Sequence, residues 1–219
     1  MADVIFDQIT GQLEQKDLML KKGTVVDATI INSTTRPLSD KRRGELAEKP
    51  SAQIDTDARS TKKGNTYYFG YKGHIGLDVG SKLIRKQRLT PANRHDLVPL
   101  AELISYDERS LWGDKAYYLQ DYKVAAREEG WFYGVLDKPR KGEKLSTKQK
   151  ARNKKFSRVR AQVEHPFAWM KTKAGLLAMA GKNQARNAFT FAMNCTGWNL
   201  TRAVWLLTKQ RPLGGLVCP

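Results

Sequence analysis

The sequence predicts an α/β protein built on a mixed sheet with flanking helices, and three features of the chain predict it. Strand patterns come first, at residues 24–31, 67–79 and 82–89. Strand and helix then alternate over residues 110–136, and two long helical stretches, about 148–173 and 183–208, finish the chain. With 219 residues, 40% of them hydrophobic, the chain can bury the core of one domain.

Residues 4–20 place Val4, Ile5, Ile9, Leu13 and Leu18 at helical spacing. Thr24 to Ile31 is apolar and β-branched, which predicts a buried strand. Residues 32–65 hold eight Lys/Arg and five Asp/Glu without periodicity. So long a stretch is usually functional or disordered, and it reads as a polar insert. From Tyr67 to Val79 apolar residues alternate with Lys72, His74 and Asp78, the pattern of a half-exposed strand with Asp78 on its wet face. Gly80-Ser81 turns it into the next strand, residues 82–89. Asp96 is placed to N-cap a helix over 97–105. A strand at 110–113, a helix at 119–129, a strand at 131–136 and a basic loop at 138–147 follow. Trp112, Trp169 and Cys195 sit amid apolar neighbours and read as core.

Composition narrows the function. Against 39 Lys+Arg stand 22 Asp+Glu, a formal charge of +17. No apolar run approaches the roughly 18 residues a membrane span needs, and the first residues lack the basic and apolar regions of a secretory signal. Two cysteines cannot frame a disulfide scaffold or a Cys-rich zinc site. A cytoplasmic protein with a polyanionic partner is expected, nucleic acid first. From Lys138 to Lys173 there are 13 basic residues and two acidic ones. Phe156, Val159, Val163, Phe167, Trp169 and Met170 interleave with them, as in a helix that packs on one side and presents cations on the other.

Three carboxylates are costly where they stand. Asp27 interrupts an apolar strand, Asp114 closes the short strand at a strand-to-helix junction, and Glu164 is the lone acid of a cationic helix. Each also has a structural reading: a satisfied core ion pair, a helix cap, and a partner for Arg160. Together, three acids on three elements of a basic protein form a set of hard oxygen donors for a divalent cation such as Mg²⁺. Two such ions can neutralise a phosphate and activate a hydroxyl for in-line displacement. Arg160, Glu164, Phe167 and Lys171 share a helix face, although Pro166 cannot donate to the carbonyl of Gln162 and should kink or restart the helix. His74, His95 and His165 have no zinc-ligand spacing.

Five blocks in order resemble one family. They are Gly23-Thr24-Val25-Val26-Asp27-Ala28-Thr29-Ile30; Thr61-Lys62-Lys63-Gly64-Asn65 with Tyr68-Phe69-Gly70-Tyr71-Lys72 and His74-Ile75-Gly76; Thr90-Pro91-Ala92-Asn93-Arg94-His95-Asp96; Gly113-Asp114-Lys115-Ala116-Tyr117; and Arg160, Glu164 and Lys171 at their spacing. These resemble the DDE transposases of bacterial insertion sequences, over roughly residues 4–208. The resemblance implies a ribonuclease-H-like fold with Asp27, Asp114 and Glu164 as catalytic and metal-binding triad. It implies Mg²⁺, with Mn²⁺ as substitute, and cleavage and strand transfer on double-stranded DNA by a likewise implied homodimer. Arg160 and Lys171 are the implied DNA contacts, with Arg158, Lys154, Lys155 and Lys115 joining them as neighbouring cations. Ser157 stands where the family usually has Tyr. Complete members carry a helical DNA-binding region ahead of the matching stretch, so residues 1–22 read as the remnant of a longer N-terminal region. Residues 23–210 read as the catalytic domain and 211–219 as a tail. Two other readings share these residues: a DNA-binding remnant without catalysis, and a nuclease of the same fold.

Overall fold

The structure, a computed structural model, describes residues 2–49, 51–139 and 142–210. The strands are β1 (Thr24–Ser33), β2 (Arg59–Lys63), β3 (Thr66–Asp78), β4 (Ile84–Pro91), β5 (Ser110–Gly113), β6 (Phe132–Val135) and β7 (Ala178–Met179). The helices are α1 (Ala2–Gln15), α2 (Asp40–Glu48), α3 (Leu100–Leu103), α4 (Gln120–Glu129), α5 (Thr147–Arg160), α6 (Glu164–Thr172) and α7 (Gln184–Gln210). The sheet runs β2-β3-β1-β5-β6, with β4 also on β3 and β7 also on β1. β1 pairs antiparallel with β3 and parallel with β5, and β5 with β6 is parallel again. This is the expected mixed sheet flanked by helices, compatible with a ribonuclease-H-like fold.

Val25 and Val26 show why β1 reads as one apolar run. Val25 joins a core with Ile75, Phe167, Met170, Phe191 and Trp198, whereas Val26 joins one with Leu100, Leu103, Leu111, Tyr117 and Val135. Both are fully buried, so both faces of the sheet are covered. The larger core holds α6 and α7 against the sheet, and α1 packs along α7. Gly73 allows that approach, because a Cβ there would lie 2.4 Å from the buried ring of Phe191. Gly73→Ala is expected to overpack the interface by about 1–3 kcal/mol and lower the melting temperature by several degrees, read by thermal denaturation.

Three expectations need correction, and the polar insert 32–65, open between functional and disordered, holds regular elements among its described residues: β1 extends to Ser33, and α2 and β2 follow. α2 buries only Leu46 and so has no apolar period; its signals are the Ser39 cap and the Arg42–Glu45 pair. β2 is a charged edge strand joined to β3 by the two residues Gly64-Asn65, Gly64 having φ +61°. Asp78 is not on a wet face. With both faces covered it is fully buried, and it accepts from the backbone N–H groups of Leu20 and Lys21 and from Ser81 Oγ. The helix expected over 97–105 is only Leu100–Leu103, and Asp96 takes the Lys72 ammonium at 2.9 Å instead of capping it. The stretch 148–173 is two helices, broken by a 3-10 turn at Ala161–Val163. α6 restarts at Glu164, so the missing N–H of Pro166 falls in a first turn, where no intrahelical acceptor is needed. Parts of two other expectations, Arg140 and Lys141 of the basic loop and the tail 211–219, lie outside the described residues.

Candidate active site

Asp27 follows Val25 by two residues and therefore faces the same way, toward α6. Two residues on from the pairs Thr24–Leu111 and Val25–Trp112, the parallel register sets Asp114 beside Asp27. Asp114 ends β5, and its Oδ1 accepts from the N–H of Ala116 at 2.7 Å, capping a short 3-10 turn. The break between α5 and α6 brings Arg160, the last residue of one, and Glu164, the first of the other, over this pair of strands. Arg160 Nε lies 3.8 Å from Asp27, Nη1 3.9 Å from Asp114 and Nη2 4.0 Å from Glu164. One guanidinium is thus central to three carboxylates, within salt-bridge reach of each. The structural readings of the three acids meet here: the core ion pair, the cap and the Arg160 partner are one constellation.

Burial pushes the Asp27 carboxyl up to about 6; Arg160 and the N–H of Ala28 oppose the rise, and Asp114 and Glu164 add to it. Three carboxylates around one guanidinium leave an excess of two negative charges when all are ionised. Among the described residues, no three Asp, Glu, His or Cys side chains stand close enough to hold a metal as they are arranged, and the Arg160 guanidinium lies among the three acids. The donor set still fits a hard divalent cation: all oxygen, net negative, and partly buried.

Lys171 donates from Nζ to Thr29 Oγ1 at 2.8 Å, two residues beyond Asp27 along β1. Lys115, Lys154, Lys155 and Arg158 are exposed. α5 is positioned by Asp137, whose buried carboxylate takes Arg152 Nε at 2.8 Å and also Nη2, and by Asn153, which bonds both backbone groups of Asp137. Phe156 adds an edge-on contact to Trp112 at 5.4 Å. The cations of α5 thus project from a helix that itself buries no residue fully. Trp169 packs against Trp198, so both it and Trp112 serve packing.

Sequence reasoning gave no role to Tyr117. It is buried behind the triad with its hydroxyl unpartnered among the described residues, and burial, then Asp27, push its ionisation far above the usual tyrosine range. Its only sequence signal is its place in the block that begins at Gly113. His74 is fully buried, bonded through Nε2 to Thr90, and held neutral by burial with its pKa near 4.

The family model of the transposase DDE domain matches residues 19–200, a span that contains β1, β5, α5 and α6. No solved structure matches the chain. Among the described residues, no helix is long and apolar enough to cross a membrane.

Proposed function

This chain belongs to the transposase DDE domain family, and from that premise we propose that residues 23–210 form a catalytic unit that cuts DNA and joins the freed end to a target. The observation that carries this reading is the convergence of Asp27, Asp114 and Glu164, from three separate elements, on Arg160. The three carboxylates would hold Mg²⁺ or Mn²⁺, which when bound neutralises phosphate charge and lowers the pKa of an attacking hydroxyl. Every other contribution comes from the chain. Arg160 neutralises the triad in the free protein and can offer a phosphate its planar fork of donors. Lys171 adds a cation on the far side of Asp27, and α5 adds a row of them. Glu164 opens α6, whose first turn also holds the buried Pro166.

The first reaction is hydrolysis: a water oxygen bonds to phosphorus, the bond to the 3′-oxygen breaks, and a 3′-hydroxyl and a 5′-phosphate result. In the second, that 3′-hydroxyl loses its proton and bonds to a target phosphorus, while the target's own 3′-oxygen leaves and is protonated. One phosphodiester is exchanged for another, so no external energy source is needed. Two ends must meet, which favours a homodimer on double-stranded DNA in the bacterial cytoplasm.

The test is strand joining from a pre-cut oligonucleotide in excess into supercoiled plasmid, with Mg²⁺ or Mn²⁺. Joined product is the expected result. Metal-dependent nicking without joining would reduce the reading to a nuclease, and binding with neither reaction would overturn catalysis.

A further inference from the structure

About three residues along the sheet from the triad lies a second group of cations. β3 carries Ile75 opposite Asp27 and ends at Asp78, roughly 10 Å further on at 3.3 Å per residue. The β3–β4 turn then presents Lys82, whose Nζ lies 3.3 Å from Nε2 of His165. His165 immediately follows Glu164, so the two sites share the first turn of α6. From α7, Arg202 donates through Nε to the carbonyl of Ser81 at 2.6 Å, and its guanidinium lies 3.9 Å over the ring of Trp205. Trp198 ties the same turn down by donating to the carbonyl of Lys82 at 2.7 Å, and the amide of Gln162 accepts from the N–H of Gly80.

Two like charges, one from the β3–β4 turn and one from α7, have been gathered here beside the His165 ring without an acid to balance them. Among the described residues no carboxylate lies within 4.0 Å of Lys82, His165 or Arg202. Both cations are partly buried without a carboxylate beside them among the described residues, a costly placement for a charge. Lys82 is also held at φ +61°, a conformation that non-glycine residues adopt at a cost and that marks ligand clamps. The side chains are fixed before any ligand arrives: Lys82 by the His165 ring, Arg202 by Ser81 and Trp205.

We infer that Lys82 and Arg202 form a second phosphate site, which takes a backbone phosphate of the DNA strand running from the triad. The inference rests on the proposed DNA chemistry of that triad. Because Lys82 contacts His165, the residue after Glu164, a strand held at the triad passes directly by this pair of cations. The His165 ring lies against the Lys82 ammonium and places it, while the two cations at the turn grip one phosphate between them.

The test is fluorescence anisotropy of a labelled duplex titrated at several KCl concentrations, with Lys82→Asn, Arg202→Gln and Glu164→Gln beside the wild type. Asn tolerates the left-handed backbone, so Lys82→Asn removes the charge without straining the turn. Each of the first two variants is expected to lower the slope of log affinity against log salt, by up to about 0.9, the value for the one phosphate they share. Glu164→Gln keeps the wild-type slope. If Arg202→Gln proves unstable on heating, Lys82→Asn alone decides. Wild-type slopes in every folded variant overturn the second site and leave the triad reading standing. Absence of DNA binding by the wild type overturns both.

Discussion

Asp27→Asn is expected to reduce strand joining by at least about 10³-fold, leave DNA affinity unchanged or slightly higher, and make the protein more stable above pH 6. The loss of rate follows from removing a charged oxygen ligand from the centre that neutralises the phosphate, where several kcal/mol are at stake and each 1.4 kcal/mol is tenfold. The gain in stability follows from burial. The Asp27 carboxyl rises from 3.8 to about 6 in the folded chain. Between about pH 4 and 6 the folded state therefore binds more protons than the unfolded one, and stability falls as pH rises through that window. Above pH 6 the whole cost is present, on the order of 3 kcal/mol for a rise of this size. Asn keeps an oxygen for the N–H of Ala28 and carries no charge, but gives up attraction to Arg160. A net gain of about 1–3 kcal/mol, several degrees in melting temperature, is expected at pH 8 and little at pH 4. Paired melts and joining assays decide it. DNA affinity falling in step with joining would end the metal-ligand role of Asp27, and equal melting at pH 8 would end the account from burial.

The same energetic reasoning explains which features were legible. Asp27, Asp114 and Glu164 stood out because each breaks a local rule: a charge in an apolar strand, at a strand end, and in a cationic helix. The fold class was legible from β1, β3, β5 and β6 because their apolar, β-branched and aromatic content marks strands, even where the alternation of β3 did not tell which face is buried. α2 was not, since nine residues that bury only Leu46 carry no period. Asp78 was misread because alternation shows that a strand has two kinds of face but not whether the second is covered; the segment carrying Leu20 and Lys21, which donates to Asp78, comes 58 and 57 residues earlier in the chain. The grouping of Lys82 with Arg202 joins positions 120 residues apart, and no spacing rule reaches that far. Arg160 was legible as a helix neighbour of Glu164, but its reach to Asp27 and Asp114 comes from the break at Ala161–Val163.

Replacing Lys154, Lys155 and Arg158 together with Gln is expected to weaken DNA binding by about 10²-fold near physiological salt and to lower the salt slope by up to about 2.7. All three side chains are exposed, so the melting temperature should hardly move. The count matters because α5 has a second route to weak binding. Asp137 is the anchor that holds the middle of the helix against the end of β6 through Arg152. Asp137→Ala leaves Arg152 without its buried acceptor at a cost of about 1.5–3 kcal/mol, yet removes no cation from the helix. That variant should melt lower and bind less tightly while keeping the wild-type salt slope, since its phosphate contacts are the same in number but less well placed. The two variants thus separate charge from position. A triple Gln variant with an unchanged slope would remove α5 from the DNA interface, and an Asp137→Ala variant with full affinity would show that the helix needs no anchor to find the phosphates.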